Sequence, residues 1–235
     1  MLSFLQKILD IYVIYIHNKR MINQLDITKF QTVIDIGSHK AELFRTFLKY
    51  NIEVTKYISF EPIKELYLNL FKELKDNSEF EVFNLALSSV KGFKKINLSP
   101  VSSTNTFQEI NNQKLKYKLK KIFIFFNKEK SKGTELVKVD LLDNLDLEIK
   151  YHVDLVKIDV EGHELEVFRG SSFFFKKYNP RYIIVEIHKK DNYKNYDAEK
   201  VKNFIKKLGY IELKAFRGPF NLFTDLIFEF KEKDK

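Results

Sequence analysis

The chain has 235 residues, 44% of them hydrophobic, and carries 41 Lys+Arg against 32 Asp+Glu for a net charge of +9, which fits one folded α/β domain and excludes a disordered chain. It contains no Cys, so disulfides, thiolate zinc sites, a Cys nucleophile and thiol redox chemistry are excluded. Its basic excess is almost all Lys, with Arg only at Arg20, Arg45, Arg169, Arg181 and Arg217; bidentate phosphate and base contacts favour Arg, so the charge is a poor nucleic-acid signature.

Leu2, Leu5, Ile8, Leu9, Tyr12, Val13 and Ile16 recur at helical spacing over residues 2–16. Lys7 and Asp10 interrupt this run, which is too short for a membrane span. No small-residue cleavage site follows, since the first Ala is Ala41. The expectation is an uncleaved helix over part of residues 1–29, packed on its own domain or a partner copy. The alternative is an interfacial membrane helix.

Residues 30–235 alternate between strand and helix patterns. Thr32–Ile36 is an apolar run ending in Asp35 and Gly37, and Ala41–Lys49 has helical spacing. Lys56–Phe60 reads as a strand stopped by Pro62, Lys64–Leu74 as an amphipathic helix, and Phe80–Leu85 as a strand. Residues 93–98 alternate after Gly92, as an edge strand or hairpin would. Val153–Ile158 is a strand, Gly162–Lys176 a helix, and Tyr182–His188 a strand after Pro180. Asp197–Leu208 is a helix closed by Gly209, and Ile211–Leu213 and Leu226–Phe230 are the last strands. Strands separated by helices of about 10–15 residues predict βαβ units and a mostly parallel sheet. Residues 111–133 break the rhythm with eight Lys and one Glu. Two readings stand for this basic segment: a solvated surface insertion, or a lid or interfacial patch.

In an open α/β sheet, ligands bind beyond the carboxyl ends of the strands. The residues at those ends suit a nucleoside-like cofactor without a pyrophosphate. Gly37 permits close approach of the backbone, but the GxGxxG pattern of dinucleotide binders is missing. Glu61 follows Asp35 by 26 positions, where an acidic residue accepts ribose hydroxyls. Residues two apart on a strand share a face, so Lys157 goes with Asp159 and Glu186 with His188. If these two strands are neighbours, Asp159, Glu161, Glu186 and His188 converge on one rim, where Lys157 can neutralise Asp159. His163 reads as a surface residue of a Glu-rich turn or as a cleft residue, and His17 and His152 offer no evident partner.

These residues resemble the FkbM-type methyltransferases over about residues 30–190. Asp35-Ile36-Gly37-Ser38-His39 is similar to the family's D-V-G-A-N turn, and Phe60-Glu61-Pro62 matches its F-E-P. Asn84-Leu85-Ala86-Leu87-Ser88 resembles N-x-A-L-S, and Ser102-Ser103 its paired serines. The stretch from Lys157 to Gly170 is close to K-I-D-V-E-G-A-E-L-E-V-L-R-G. His39 and Ala41 stand where the family usually has Asn and Gly.

The resemblance implies a Rossmann-like class I methyltransferase fold: a mostly parallel, doubly wound sheet with an antiparallel last strand, here with an N-terminal helical extension. It implies S-adenosylmethionine as cofactor. Asp35, Gly37, Ser38 and His39 would hold the methionine part, Glu61 the ribose, and Asn84 to Ala86 the adenine. The implied reaction is O-methylation of a small-molecule or glycan hydroxyl. The rim read above from side-chain direction adds the expectation that Asp159 or Glu186 orients the acceptor and His188 removes its proton. Three carboxylates and a His are also compatible with a divalent metal, but nothing in the spacing requires one and none is assigned. A non-catalytic cofactor-binding module and an RNA-binding methyltransferase-like protein are the alternatives. A homo-oligomer and peripheral contact with the inner face of a membrane stay open for an expected cytoplasmic protein.

Overall fold

The structure, a computed structural model, describes residues 16–99, 102–108, 133–188, 192–218 and 223–231. The expected helix over 2–16, Ile16 excepted, and the basic segment, Gly133 excepted, lie outside the described residues.

In chain order the elements are α1 (Asn18–Ile22), β1 (Lys29–Ile36), α2 (Glu42–Lys49), β2 (Glu53–Phe60), α3 (Lys64–Leu74), β3 (Phe80–Phe83), β4 (Ala86–Leu87), β5 (Gly92–Leu98), β6 (Gly133–Asp140), β7 (Val153–Ile158), α4 (Glu164–Arg169), α5 (Ser172–Tyr178), β8 (Tyr182–Ile187), α6 (Ala198–Lys207), β9 (Tyr210–Arg217) and β10 (Thr224–Phe230). Seven strands form one sheet in the order β3-β2-β1-β7-β8-β10-β9. Pairing is parallel from β3 to β8, and β10 runs antiparallel between β8 and β9. The order reverses between β1 and β7, so the switch point lies where the carboxyl ends of these two strands meet.

Both faces of the sheet are covered. Ile34, Ile36, Val156, Ile158 and Val185 pack on one side with Phe168 and Phe175. Val33, Tyr57, Leu155 and Ile184 pack on the other with Phe44 and Phe47. The central strands β7 and β8 are buried at every position, as a parallel strand between two helical layers requires. Met21 and Ile22 of α1, with Leu25 behind it, belong to the second of these cores, so the described part of the N-terminal extension shares the domain's core.

The structure differs from the expectations in three places. A second sheet, β4-β6-β5, pairs β5 antiparallel to β6 over its whole length. Strand β6 gives little signal in the sequence because the alternation of Gly133–Asp140 runs on directly from the basic segment. The expected helix over Gly162–Lys176 is two helices, α4 and α5. Gly170 lies between them because a side chain there would put its Cβ 1.9 Å from the Ser88 carbonyl oxygen. The strand expected over Phe80–Leu85 ends at Phe83, and the chain then crosses to the second sheet.

Candidate active site

A cleft of about 570 Å³ of empty space opens over the carboxyl ends of β1, β2 and β7, walled by Phe60, Ile63, Leu66, Leu85 and Ile96 among others. Its charged lining is Glu61, Asp159 and Glu161, with His39 and His163. No Lys or Arg stands among the described residues that line it.

The turn after β1 forms one wall. The Gly37 and Ser38 amides both donate to the Phe60 carbonyl, and the Asp159 amide donates to the Ile36 carbonyl, which locks β1 between its neighbours. Gly37 has φ +81°, and a Cβ there would lie 1.9 Å from the Asp159 carbonyl oxygen. The close approach expected at Gly37 is thus made to the backbone beyond β7. His39 and Ala41 adopt φ of +51° and +55°. A left-handed backbone suits Gly and tolerates Asn or His better than Ala, so the strained position is Ala41, which begins α2 without a side-chain cap.

Glu61 lines the cleft with its carboxylate already engaged. The His39 amide donates to its Oε2 at 2.9 Å and the Ile63 amide to its Oε1 at 2.8 Å. Burial nevertheless raises its pKa to about 8, against the pull of these two donors and His39. His39 Nδ1 pairs with Glu42 Oε1 at 2.7 Å, which lifts the imidazole's pKa in spite of burial.

Ala86, like Gly37, His39 and Glu61, lines the cleft; the other expected cofactor residues face elsewhere. Asp35 is 1% exposed and accepts from the Tyr57 hydroxyl at 2.7 Å, on the opposite face of β1. Burial raises its pKa to about 6, with Lys157 pulling the other way. Ser38 accepts from the Ser59 hydroxyl at 2.6 Å. The Asn84 amide donates to the Glu61 and Pro62 carbonyls at 3.0 and 2.9 Å, so it braces the tip of β2.

The opposite wall is the acidic rim beyond β7 and β8. Strands β7 and β8 pair directly, which brings Asp159, Glu161, Glu186 and His188 together. Lys157 donates to Asp159 Oδ2 at 2.9 Å. Burial opposes the charge on Lys157, but Asp159 and Asp35 outweigh it and hold its pKa above the ordinary value. Deeper in, His188 Nε2 lies 3.3 Å from Glu186 Oε1 and 3.5 Å from Glu161 Oε2. Burial lowers the pKa of His188 to about 4, and burial and then Asp159 raise those of Glu186 and Glu161 well above the carboxylate range. The Tyr193 hydroxyl donates to Glu161 Oε2, and the Tyr193 and Tyr196 rings stand edge-on to His188.

Sequence reasoning misplaced two histidines. His163 is 2% exposed, with Nε2 3.0 Å from Ser88 Oγ and its ring against Phe107. Burial takes its pKa down to about 4. The surface reading of His163 is therefore wrong. His17 pairs with Asp225 at 2.7 Å across 208 positions of sequence, a separation that leaves no local trace. The sequence gives no direct sign of Tyr193's role; an aromatic residue in a polar loop beyond β8 is the one hint.

The strand order and a cleft at the switch point define a Rossmann-like class I methyltransferase fold. The chain belongs to the FkbM methyltransferase family, whose domain model, Methyltransferase FkbM domain, matches residues 35–212. No curated protein matches it. Among solved structures it is similar to a methyltransferase FkbM from Methylobacillus flagellatus KT, at a TM-score of 0.56 and 14% identity over 92% of this chain and 47% of that one. The chain thus spans about half the length of that relative. It is also similar to a protein of the NADB-Rossmann superfamily from Streptococcus agalactiae, with a TM-score of 0.54, 8% identity, and 94% and 70% of the two chains covered. A third is magnesium protoporphyrin IX methyltransferase from Synechocystis PCC 6803, solved with bound S-adenosylmethionine, with a TM-score of 0.51, 9% identity, and 96% and 79% covered. At these identities the likeness is one of fold. No described helix is long and apolar enough to cross a membrane.

Proposed function

We propose that this protein is an S-adenosylmethionine-dependent methyltransferase that methylates a hydroxyl of a small molecule or glycan. The observation that carries the reading is the lack of cationic side chains in an acidic cleft lining. Three carboxylates and no Lys or Arg among the described lining residues suit a cationic, phosphate-free nucleoside; a pyrophosphate would need donors that the lining does not offer. Family membership and the fold support the same choice.

When bound, S-adenosylmethionine supplies an electrophilic methyl group on a sulfonium centre, and its thioether leaves without needing a proton. Glu61, fixed by two backbone amides, keeps lone pairs for the ribose hydroxyls. Gly37, His39 and Ala86 complete that wall, while Asp35, Ser38 and Asn84 act behind it by holding the turn and the tip of β2. The rim is the acceptor side. Asp159, steadied by Lys157, orients the hydroxyl, and Glu186 and His188, with Glu161, form the polar group that receives its proton. With a leaving group that asks for no acid, most of the rate gain comes from positioning.

The test is calorimetric titration of the whole chain with S-adenosylmethionine and, separately, with NAD, followed by release of S-adenosylhomocysteine in the presence of hydroxyl and amine acceptors. Binding of the sulfonium cofactor alone and turnover on hydroxyls support the reading; preference for NAD, or turnover confined to amines, overturns it.

A further inference from the structure

The rim contains a group that nothing in its surroundings satisfies. His188 Nε2 is buried and has no hydrogen-bond partner, and the His188 side chain is 4% exposed. A buried polar atom without a partner costs about 1–3 kcal/mol, so such an atom aimed at two carboxylates calls for a reason. The Glu186 and Glu161 oxygens stand 3.3 and 3.5 Å from it. These are too far or too poorly aligned for a hydrogen bond. They are close to the ligand–ligand edge of a tetrahedral site: metal–ligand bonds of about 2.0–2.1 Å give edges of about 3.3–3.4 Å. An octahedral Mg²⁺ site would give shorter edges, about 3.0 Å.

We propose that Glu161 Oε2, Glu186 Oε1 and His188 Nε2 form a binding site for one divalent transition-metal ion of the Zn²⁺ type. One ligand atom from each of these residues lies within 4.8 Å of the other two. One imidazole with two carboxylates is a donor set for Zn²⁺ rather than for Mg²⁺ or Ca²⁺, which favour oxygen alone. Two carboxylate charges would be balanced by the ion, which removes the cost of burying them side by side. Three protein ligands leave a fourth position open, as in catalytic rather than structural zinc sites.

Outer partners hold these groups in place. The Tyr193 hydroxyl donates to Glu161 Oε2, and Tyr193 and Tyr196 wall the imidazole. Ligating carboxylates are typically held by such outer partners. The strand end fixes Glu186 and His188 on one face, and Glu161 reaches them from a left-handed backbone at φ +50°. Glu161 also lines the cleft, so the site borders the space assigned above to cofactor and acceptor. The inference rests on that reading only for its place beside the reaction: with the ion bound, the three residues are ligands and no longer take the acceptor's proton themselves, and Asp159 stays outside the set.

The experiment uses the full chain, stripped with EDTA and dialysed, then titrated calorimetrically with Zn²⁺ alone and with Mg²⁺ alone. Co²⁺ absorption reports the geometry. The expected result is one Zn²⁺ per chain, weak or no Mg²⁺ binding, and a tetrahedral Co²⁺ spectrum. His188→Ala and Glu186→Gln should each weaken Zn²⁺ binding by more than about 100-fold, beyond what losing an outer partner costs. His152→Ala, which removes an exposed imidazole outside the ligand set, should leave it unchanged. Failure of the wild-type chain to take up Zn²⁺ stoichiometrically overturns the proposal, whatever the variants' folding. So does Zn²⁺ binding that survives both substitutions. S-adenosylmethionine titrated into the same stripped protein separates the two readings: cofactor binding without Zn²⁺ binding defeats only the metal site, and the reverse defeats only the cofactor assignment.

Discussion

The turn after β1 and the rim beyond β7 and β8 both bury carboxylates, and they treat them in opposite ways. At the turn, both oxygens of Glu61 accept backbone amides and Asp35 accepts from Tyr57. At the rim, Glu161, Glu186 and His188 crowd together, and the imidazole nitrogen between the two carboxylates has no partner. At the turn the fold alone finishes the cleft-facing Glu61 carboxylate, although Asp35 Oδ1 behind it is buried without a partner. The rim is chemically incomplete until something else enters it. A binding wall that is set in advance costs little to order when the cofactor arrives, whereas strained or unsatisfied groups collect where chemistry is done.

The sharpest way to break the finished side is Gly37→Ala. A methyl group 1.9 Å from the Asp159 carbonyl oxygen, on a backbone at φ +81°, forces β1 and β7 apart. We expect a loss of about 3 kcal/mol or more of stability, read as a fall in the denaturant midpoint; a midpoint near wild type would mean that the switch point is looser than described.

A change of pH probes the same side. Glu61 titrates near 8 in the fold and near 4.5 when unfolded, so the native state binds the extra proton between these values. Stability without cofactor therefore falls as pH rises from about 4.5 to about 8, by on the order of 2–4 kcal/mol from this group. Asp35 and Glu164, raised to about 6 and 7, add slopes of the same sign. The difference between wild type and Glu61→Gln isolates the Glu61 share; parallel pH profiles would remove it.

Relief of strain at the turn is the smallest effect. Ala41 sits at φ +55°, where a non-Gly residue costs about 1–2 kcal/mol. Ala41→Gly forfeits about 0.8 kcal/mol of methyl burial, for a net gain of a few tenths to about 1 kcal/mol. A lower melting temperature in that variant would show that methyl packing outweighs backbone strain.

The two regions were also unequally legible from sequence. Strand alternation alone places Asp159 with Lys157 and Glu186 with His188, and β7 and α3 are found to the residue, because buried parallel strands and amphipathic helices carry their periodicity openly. The turn was legible as a turn but not in its side-chain directions. Asp35, Ser38 and Asn84 face away from the cleft because Tyr57, Ser59 and the tip of β2 take them up, contacts that only the sheet register brings about. The break at Gly170 and the pairing of His17 with Asp225 likewise depend on segments far apart in sequence.

The division of labour between the regions is tested most directly by calorimetric titration of S-adenosylmethionine into three proteins: wild type, Glu61→Ala and His188→Ala. The account predicts one cofactor per wild-type chain. Binding should weaken by about 1–3 kcal/mol in Glu61→Ala, the size of two lost hydrogen bonds, and be nearly unchanged in His188→Ala. Absence of binding to the wild type, or equal losses in the two variants, would contradict it.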